Sequence, residues 1–498
     1  GLKFQDGVSI TADTVKWSYE REPKVDAHHA WWHRTSYREL VVLDDYTLRM
    51  YLNDPYFIPH TLAGMNLLEH GYIKSPGAGE NATGMDVVGS GPYKLVEYIP
   101  NERLVLEKWE DYPDIPGRIV HPSYADKIII RLFAESSSMR IALEKGEIDI
   151  VLKDFTKPDL KALIDNPDVT IETTPSGYTR YLAMNWAVDP FNDVRVRRAI
   201  AYALNPKEIM DATQLGLAEL AKSLVHTWIP YYIPYFDEVY DQSSSNVEKA
   251  KALLAEAGYP DGFSTELWYS NHYDSYVTEG QVATVIQSQL AEVGITVALK
   301  QVEWGLYVDK VKSMAIPGMG LGGWKWDYPD PDTDLTYCIT YENGTGRGYT
   351  EWGYKNLTAD SLFFEGQRLY DPTIPPEQNT ERKEIYEKLQ KIYAQDVVNI
   401  PLWYSVEYEA CRKEVKGYRA FFTGYWKLIW NAYKEEWGIT PKPEWDVFHE
   451  LLSSTASSTP FESMFIMLPS LSNHLLSNAE RKLQLRNTIS FFFKKKSF

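Results

Sequence analysis

Cysteine is nearly absent: Cys338 and Cys411 are the only two in 498 residues. That excludes a disulfide scaffold and any cysteine-rich metal cluster. No run of ~18 consecutive apolar residues occurs, so no segment reads as a membrane-spanning helix. Positive charge is also in deficit, with 51 Lys and Arg against 69 Asp and Glu and a net charge of −18. Such a surface repels phosphate backbones and anionic lipids, and the only basic cluster is the Lys494-Lys495-Lys496 run near the end, so nucleic acid is excluded as a partner. Catalytic signatures are missing too: there is no Gly-x-x-x-x-Gly-Lys-Ser/Thr loop, no Gly-x-Ser-x-Gly elbow and no His-Glu-x-x-His pair. Gly89-Ser90-Gly91 runs into Pro92 and a strand rather than a helix, which is the wrong setting for a dinucleotide loop. The one metal-like grouping, His28, His29 and His33, has only Asp26 nearby and reads as surface or packed histidine. Neither a catalytic residue nor a cofactor nor a resident metal is expected.

What the chain has in quantity is aromatic side chains, 14% of residues with 35 Tyr and 16 Trp. Such rings line a pocket with little loss of conformational entropy. Its length exceeds what one core supports, so two or three lobes are expected. The patterning is α/β. Thr11 caps a helix that breaks near Pro23, 38–50 reads as two strands around Asp44-Asp45, and 87–108 as a hairpin turning at Pro100-Asn101. A strand–helix–strand unit is expected from 126 to about 152 and another over 246–300, where Val247, Ala250, Leu253, Leu254 and Ala257 form one stripe. YLAMNW before the Asp189–Asp193 turn, a helix at 379–396 and the strand VNIPLWYS complete the pattern.

The most informative segment is Trp324-Lys325-Trp326-Asp327-Tyr328-Pro329-Asp330-Pro331-Asp332. Its prolines exclude a helix, and it follows the small-residue strand MGLGG. Such a loop places rings and a carboxylate at the mouth of a cleft, where a ligand ammonium is the natural partner of a costly buried anion. The local alternative is that Asp327 caps a turn. A calcium loop fits less well because proline separates the aspartates and the required Gly is missing.

In order and spacing, GLKFQDGVSITADTVKWSYER, VVGSGPYKLVEYIPNERLVLEKWEDY, ALEKGEIDIV, PFNDVRVRRAIAYALN, AKALLAEAGYPDGF, VEW, GGWKWDYPDPDTDL and IPLWYSVEYEACRKEVKGY resemble the family 5 extracellular solute-binding proteins of ABC importers, the dipeptide, oligopeptide and nickel binders. The resemblance covers about 1–436. It implies a two-lobed periplasmic-binding-protein (Venus flytrap) fold of the large type, with an extra subdomain on lobe I. Lobe I would span 1–184, with its first strands preceding Gly1, lobe II 185–404, and 405–440 would return to lobe I. The 441–498 tail is atypical and expected outside the fold.

The same resemblance implies a monomeric, extracytoplasmic, non-enzymatic protein, a lipoprotein tethered through a segment before Gly1. It would capture a peptide or similar small polar solute and deliver it to the membrane permease subunits of an ABC transporter. Asp327 would pair with the ligand α-amino group. Trp324, Trp326 and Tyr328 would flank it, with Trp304, Tyr404, Tyr178, Tyr181 and Asn185 as further lining. Leu321 stands where the oligopeptide binders carry arginine. An oligosaccharide is the rival ligand, stacking on Trp304, Trp324 and Trp326. A glycoside or peptide hydrolase would have to use Asp327 with Asp330 or Asp332, and no catalytic motif supports that pair.

Overall fold

The computed structural model describes residues 2–25, 37–52, 74–82, 84–113, 124–151, 155–270, 279–325, 330–336, 352–371, 373–418, 433–434 and 488–492. They fall into two compact units, residues 1–134 with 414–419 and 428–498, and residues 135–413 with 420–427.

In the first unit, helix α1 (Ala12–Val25) begins at a reciprocal cap. Thr11 Oγ1 accepts from the Thr14 amide at 3.4 Å, and Thr14 Oγ1 accepts from the Thr11 amide at 2.9 Å. The helix continues past Pro23, where a break was expected. Pro23 has no N–H for the Tyr19 carbonyl, and that carbonyl instead accepts from the Tyr37 hydroxyl at 3.5 Å. Strands β1 (Tyr37–Asp44) and β2 (Thr47–Leu52) pair antiparallel as expected, and β3 (Tyr93–Ile99) and β4 (Arg103–Lys108) form the second hairpin, with Asn101 at φ +60° in its turn. Strand β5 (Lys127–Arg131) pairs antiparallel with β4, setting Ile128 and Ile130 opposite Leu106 and Leu104. The expected strand–helix–strand unit from 126 is therefore corrected: its first strand belongs to this sheet and its second joins the sheet of the other unit.

The second unit runs α2 (Ser136–Glu144), β6 (Ile150–Val151), α3 (Lys157–Ile164), β7 (Val169–Met184), α4 (Val194–Ala203), α5 (Pro206–Gln214), β8 (Ala218–Leu220), α6 (Tyr235–Tyr240), α7 (Val247–Glu256), β9 (Ser264–Tyr269), α8 (Glu279–Ala291), β10 (Thr296–Gln301), α9 (Trp304–Lys312), β11 (Met319–Lys325), α10 (Pro331–Leu335), α11 (Leu357–Arg368), α12 (Thr380–Asp396) and β12 (Asn399–Arg412). Its seven-stranded sheet has the order β10-β9-β11-β7-β12-β6, with β8 beside β12. The strands β10, β9 and β11 are mutually parallel, so the expected strand–helix–strand reading of 246–300 holds for β9-α8-β10. The remaining pairings are antiparallel. The expected lobe boundaries after 184 and 404 fall at the end of β7 and inside β12.

Alternation along β7 feeds a core on each face of the sheet. Leu182 and Met184 pack with Ile200, Leu254, Ile286 and Leu290 from α4, α7 and α8. Tyr181 and Ala183 pack with Tyr307, Phe363, Tyr386 and Leu389 from α9, α11 and α12. After β12 the chain returns to the first unit, where β13 (Val415–Lys416) pairs with β14 (Tyr433–Lys434). Of the tail, residues 441–487 lie outside the described residues, and Thr488–Phe492 forms β15, antiparallel to β2. No helix among the described residues is long and apolar enough to cross a membrane.

The glycines of β11 are explained by what covers them. A β-carbon on Gly320 would lie 2.2 Å from Trp352 Cη2, on Gly322 2.4 Å from Tyr181 Cε2, and on Gly323 2.4 Å from Tyr178 Cε1. Gly320→Ala should therefore destabilise the protein by about 1–3 kcal/mol through overpacking. Gly89→Ala, where a β-carbon meets nothing within 4 Å, should stay within about 0.5 kcal/mol. Urea midpoints of the two variants against the parent test this, and equal shifts would contradict it.

Candidate functional site

Open sheets with parallel strands bind ligands beyond the carboxyl ends of those strands. Here β11 overshoots its parallel neighbour: Gly320 is its last residue paired with β9, and Leu321–Lys325 continue alongside β7 alone. The step this leaves is edged by the residues following β10. Tyr307 of α9 donates from its hydroxyl to the Leu321 carbonyl at 2.8 Å, and Trp304 stacks on Tyr307 with centroids 6.0 Å apart. Glu303 caps α9 by accepting from the Leu306 amide, which fixes where Trp304 enters the helix. Trp268, near the end of β9, packs half-buried against the same core as Trp304 and Trp324, its indole N–H donating to Glu266 at 2.7 Å.

The expected lining residues separate along the sheet. Trp324, Thr179 and Tyr404 form one row across β11, β7 and β12. Trp324 is half-buried there, whereas Tyr404 is fully buried. The Tyr404 hydroxyl shares its one proton between the carbonyls of Ser223 (2.9 Å) and Val225 (2.8 Å) and accepts from the Ser223 amide at 3.2 Å, so it fastens the segment after β8. Tyr181 is buried over Gly322, and Tyr178 lies half-buried on the opposite face of the sheet from Trp324. Asn185 stands beyond the far end of β7, roughly 23 Å from Tyr178 at ~3.3 Å per residue. Its side chain donates to the carbonyls of Met314 (3.0 Å) and Ile316 (2.7 Å) and accepts from the Ala187 amide at 3.0 Å. Trp326, Asp327 and Tyr328 lie outside the described residues, as does the histidine grouping at 28–33.

Both flanks of 326–329 are firmly held. Upstream is β11. Downstream, Asp330 accepts two bonds of 2.8 Å from the Arg382 guanidinium, and both side chains are nearly completely buried. Arg382 also donates to the Gly366 carbonyl at 2.8 Å and lies 4.8–5.6 Å from the ring centroids of Tyr386, Tyr370 and Tyr231. Asp330 in addition caps α10 through the Asp332 amide, with Pro331 at the first helical position, so the expectation that the prolines exclude a helix fails at 331, and Asp332 accepts from Gln367 at 2.9 Å. The aspartates proposed as partners of Asp327 in hydrolysis are thus taken up in packing the loop.

The third aspartate of the run, Asp334, is buried and accepts from the His226 amide at 3.1 Å. Burial pushes its carboxyl up to about 8, so it is neutral at pH 7. His226, whose ring centroid lies 4.2 Å from that of Tyr404 at a tilt of 32°, is driven by burial down to about 3. Among the described residues no group of three or more His, Cys, Asp or Glu could hold a metal ion. Trp268 was missed in the sequence because STELWYS reads only as a strand. Arg180 and Glu279, a buried ion pair, carry no motif at all.

Two outcomes follow for stability. Asp334 keeps its proton in the folded state up to about pH 8 but loses it near pH 4 when unfolded, so its contribution is lost as pH rises between those values. His226 acts oppositely: its contribution is complete above about pH 6.5 and is lost as pH falls toward 3. From pH 6.5 to 8 Asp334 alone of the two changes, and Asp334→Asn should flatten the decline of Tm in that window. A parallel decline in variant and parent would contradict a neutral buried carboxyl. Separately, Arg382→Met should lower stability by about 3–5 kcal/mol by stranding the Asp330 charge, and adding Asp330→Asn should restore a large part of it. Denaturant unfolding of the single and double variants checks both.

Residues 1–346 match the family described as "Bacterial extracellular solute-binding proteins, family 5 Middle". The dipeptide-binding protein of Escherichia coli (strain K12) is 28% identical over 339 residues, 67% of this chain and 59% of that protein, so the match spans less than two thirds of that relative. The glutathione-binding protein GsiB of Salmonella choleraesuis (strain SC-B67) is 27% identical over 442 residues, 86% of this chain and 79% of that protein. Among solved structures, the ABC transporter-associated periplasmic binding protein DppA of Helicobacter pylori, in complex with the peptide STSA, superposes with a TM-score of 0.64 at 23% identity, over 87% of this chain and 84% of that one. That likeness shows the fold, the two-lobed periplasmic-binding-protein class implied by the sequence.

Proposed function

This chain belongs to the bacterial extracellular solute-binding proteins of family 5, and from that membership we propose that it captures a peptide and delivers it to the permease of an ABC importer. It is a solute-binding protein of the extracytoplasmic space and not an enzyme. Tethering to the outer face of the membrane, as a lipoprotein, is part of the proposal, as are the lobe limits 1–184, 185–404 and 405–440.

The observation that carries the peptide reading is the pair of half-buried indoles, Trp304 and Trp324, in one core beside the end of β11, the strand that leads in sequence to Asp327. A ligand ammonium is the natural partner of a carboxylate in a low-dielectric cleft. Asp327 takes that role. Trp324, Trp326 and Tyr328 flank it, Trp304 forms the wall stacked on Tyr307, and Tyr178 closes the other side of β7. Tyr404, Tyr181 and Asn185 support the site from within the core and the far end of the sheet. The edge of β11 past Gly320 supports a peptide further, since an extended backbone can be read by strand main-chain groups.

Ligand binding favours the closed form by its difference in affinity between closed and open forms, and it is that form the permease reads. Asp327→Ala should abolish binding of di- to pentapeptides by titration calorimetry and leave thermal unfolding nearly unchanged. Unchanged affinity would sink the role of Asp327. A thermal-shift panel of di- to pentapeptides, β-linked oligosaccharides and nickel chelates decides the ligand class. Stabilisation by the sugars alone would favour the second reading, in which Trp304, Trp324 and Trp326 stack on sugar rings.

A further inference from the structure

The step at the end of β9 leaves one indole without a part in the peptide reading. Trp268 is half-buried between the buried Leu267 and Tyr269. Its register partners are Lys300 on β10 and Gly320 on β11, so its ring stands on the face of the sheet that carries Trp324 further along β11. Over Gly320 that face is closed by Trp352 and by the Tyr307 hydroxyl, 2.2 Å and 2.7 Å from where a β-carbon would lie, and Trp304 stacks on Tyr307. The indoles of Trp268, Trp304 and Trp324 all pack, partly buried, against this one core. The Trp268 ring is also fixed in orientation. Its N–H donates to Glu266 Oε2 at 2.7 Å, two residues back on the same face, and Lys300 Nζ stands 3.7 Å from Glu266 Oε1.

An indole has a single polar atom, a donor, and here a carboxylate takes it. What remains for a ligand is the carbon face of the ring. A ring whose rotamer is already set loses little entropy when a second apolar group packs on it. Glu266 has Lys300 beside its other oxygen, so its charge is answered within the sheet. We propose that Trp268 is the wall of a subsite for an apolar side chain of the ligand, an aromatic one above all, and that Glu266 is the positioning residue that sets the indole. This rests on the peptide reading. There Trp324 flanks the amino end of the peptide, and Gly320, the partner of Trp268, lies ~13 Å back along β11 from Trp324 at ~3.3 Å per residue. Trp268 therefore reads a side chain beyond the first residue.

The test uses the full chain in titration calorimetry, with pentaalanine, the five peptides in which one alanine is replaced by phenylalanine, and the matching lysine peptides as probes. At a position after the first, phenylalanine should tighten binding about tenfold over pentaalanine, and Trp268→Leu should remove most of that ratio. Glu266→Leu releases the indole N–H and should cut the ratio by at least about threefold, whereas Glu266→Gln still offers the N–H a carbonyl and should keep it. A purely structural Glu266 would shift the affinity for both probes alike and leave the ratio as it was. Should Trp268→Leu not fold, the two Glu266 variants carry the test. No phenylalanine preference at a later position, because the pentapeptides bind alike or not at all, overturns the inference while leaving the peptide reading intact. So does a preference confined to the first residue, a ratio unchanged in Trp268→Leu or in Glu266→Leu, or a stronger preference for lysine at the same position, which would make the subsite one for a cation. A parent protein that binds none of these probes nor any peptide of the thermal-shift panel overturns the peptide reading and this inference with it.

Discussion

The antiparallel pairing of β7 with β12 is the constraint on which the second unit depends. It extends from Arg412–Val169 to Asn399–Ala183 and gives every other element a reference. On its other side β7 holds β11, and through β11 the parallel strands β9 and β10. Each face of β7 supplies the centre of one core, with Leu182 and Met184 on one side and Tyr181 and Ala183 on the other. A slip of one residue would exchange the two faces and put Arg180 into the core now filled around Tyr181. Register along this pair is therefore fixed by both cores at once.

The end of β11 and the residues packed on it inherit their placement from that register. β11 is aligned on β7, Trp304 is aligned on β11 through Tyr307 and the Leu321 carbonyl, and Asp330 is held in the core by Arg382. Polar groups buried here are matched locally: Asp330 by a guanidinium, Asp332 by an amide, and Asp334 by keeping its proton. Three carboxyls close together in a low-dielectric interior cannot all remain charged without a partner for each. The chain resolves this differently at each of the three, although the sequence PDPDTDL makes them look alike.

Local and periodic features were legible in the sequence. The hairpins at 37–52 and 93–108 close over short turns, and the α7 stripe buries Ala250 and Leu254 as its spacing demands. The family was legible as well, through the order of its segments. What could not be read depended on partners distant in the chain. Pro175 and Gly177 look like punctuation that ends a strand, yet β7 runs through them because β12 accommodates a bulge there. Lys127–Arg131 reads equally well as the start of a crossover unit, and only Leu104 and Leu106 opposite its isoleucines decide otherwise. Tyr404 and Asn185 were recognisable by position, but their hydrogen bonds, and hence their burial, depend on loops at 223–225 and 314–316. Arg180 and Glu279 are separated by 99 positions, and nothing in either local sequence points to the other.

The three glycines of β11 also bear on how this protein can diverge. Each is covered by a ring from elsewhere, Trp352, Tyr181 or Tyr178, so none can acquire a side chain without displacing an aromatic residue from a different element. This strand is consequently closed to stepwise change. Change is channelled instead to open positions such as Gly89, where a β-carbon meets nothing within 4 Å. A duplicated copy of this gene could drift at many such positions while this one strand stayed the same.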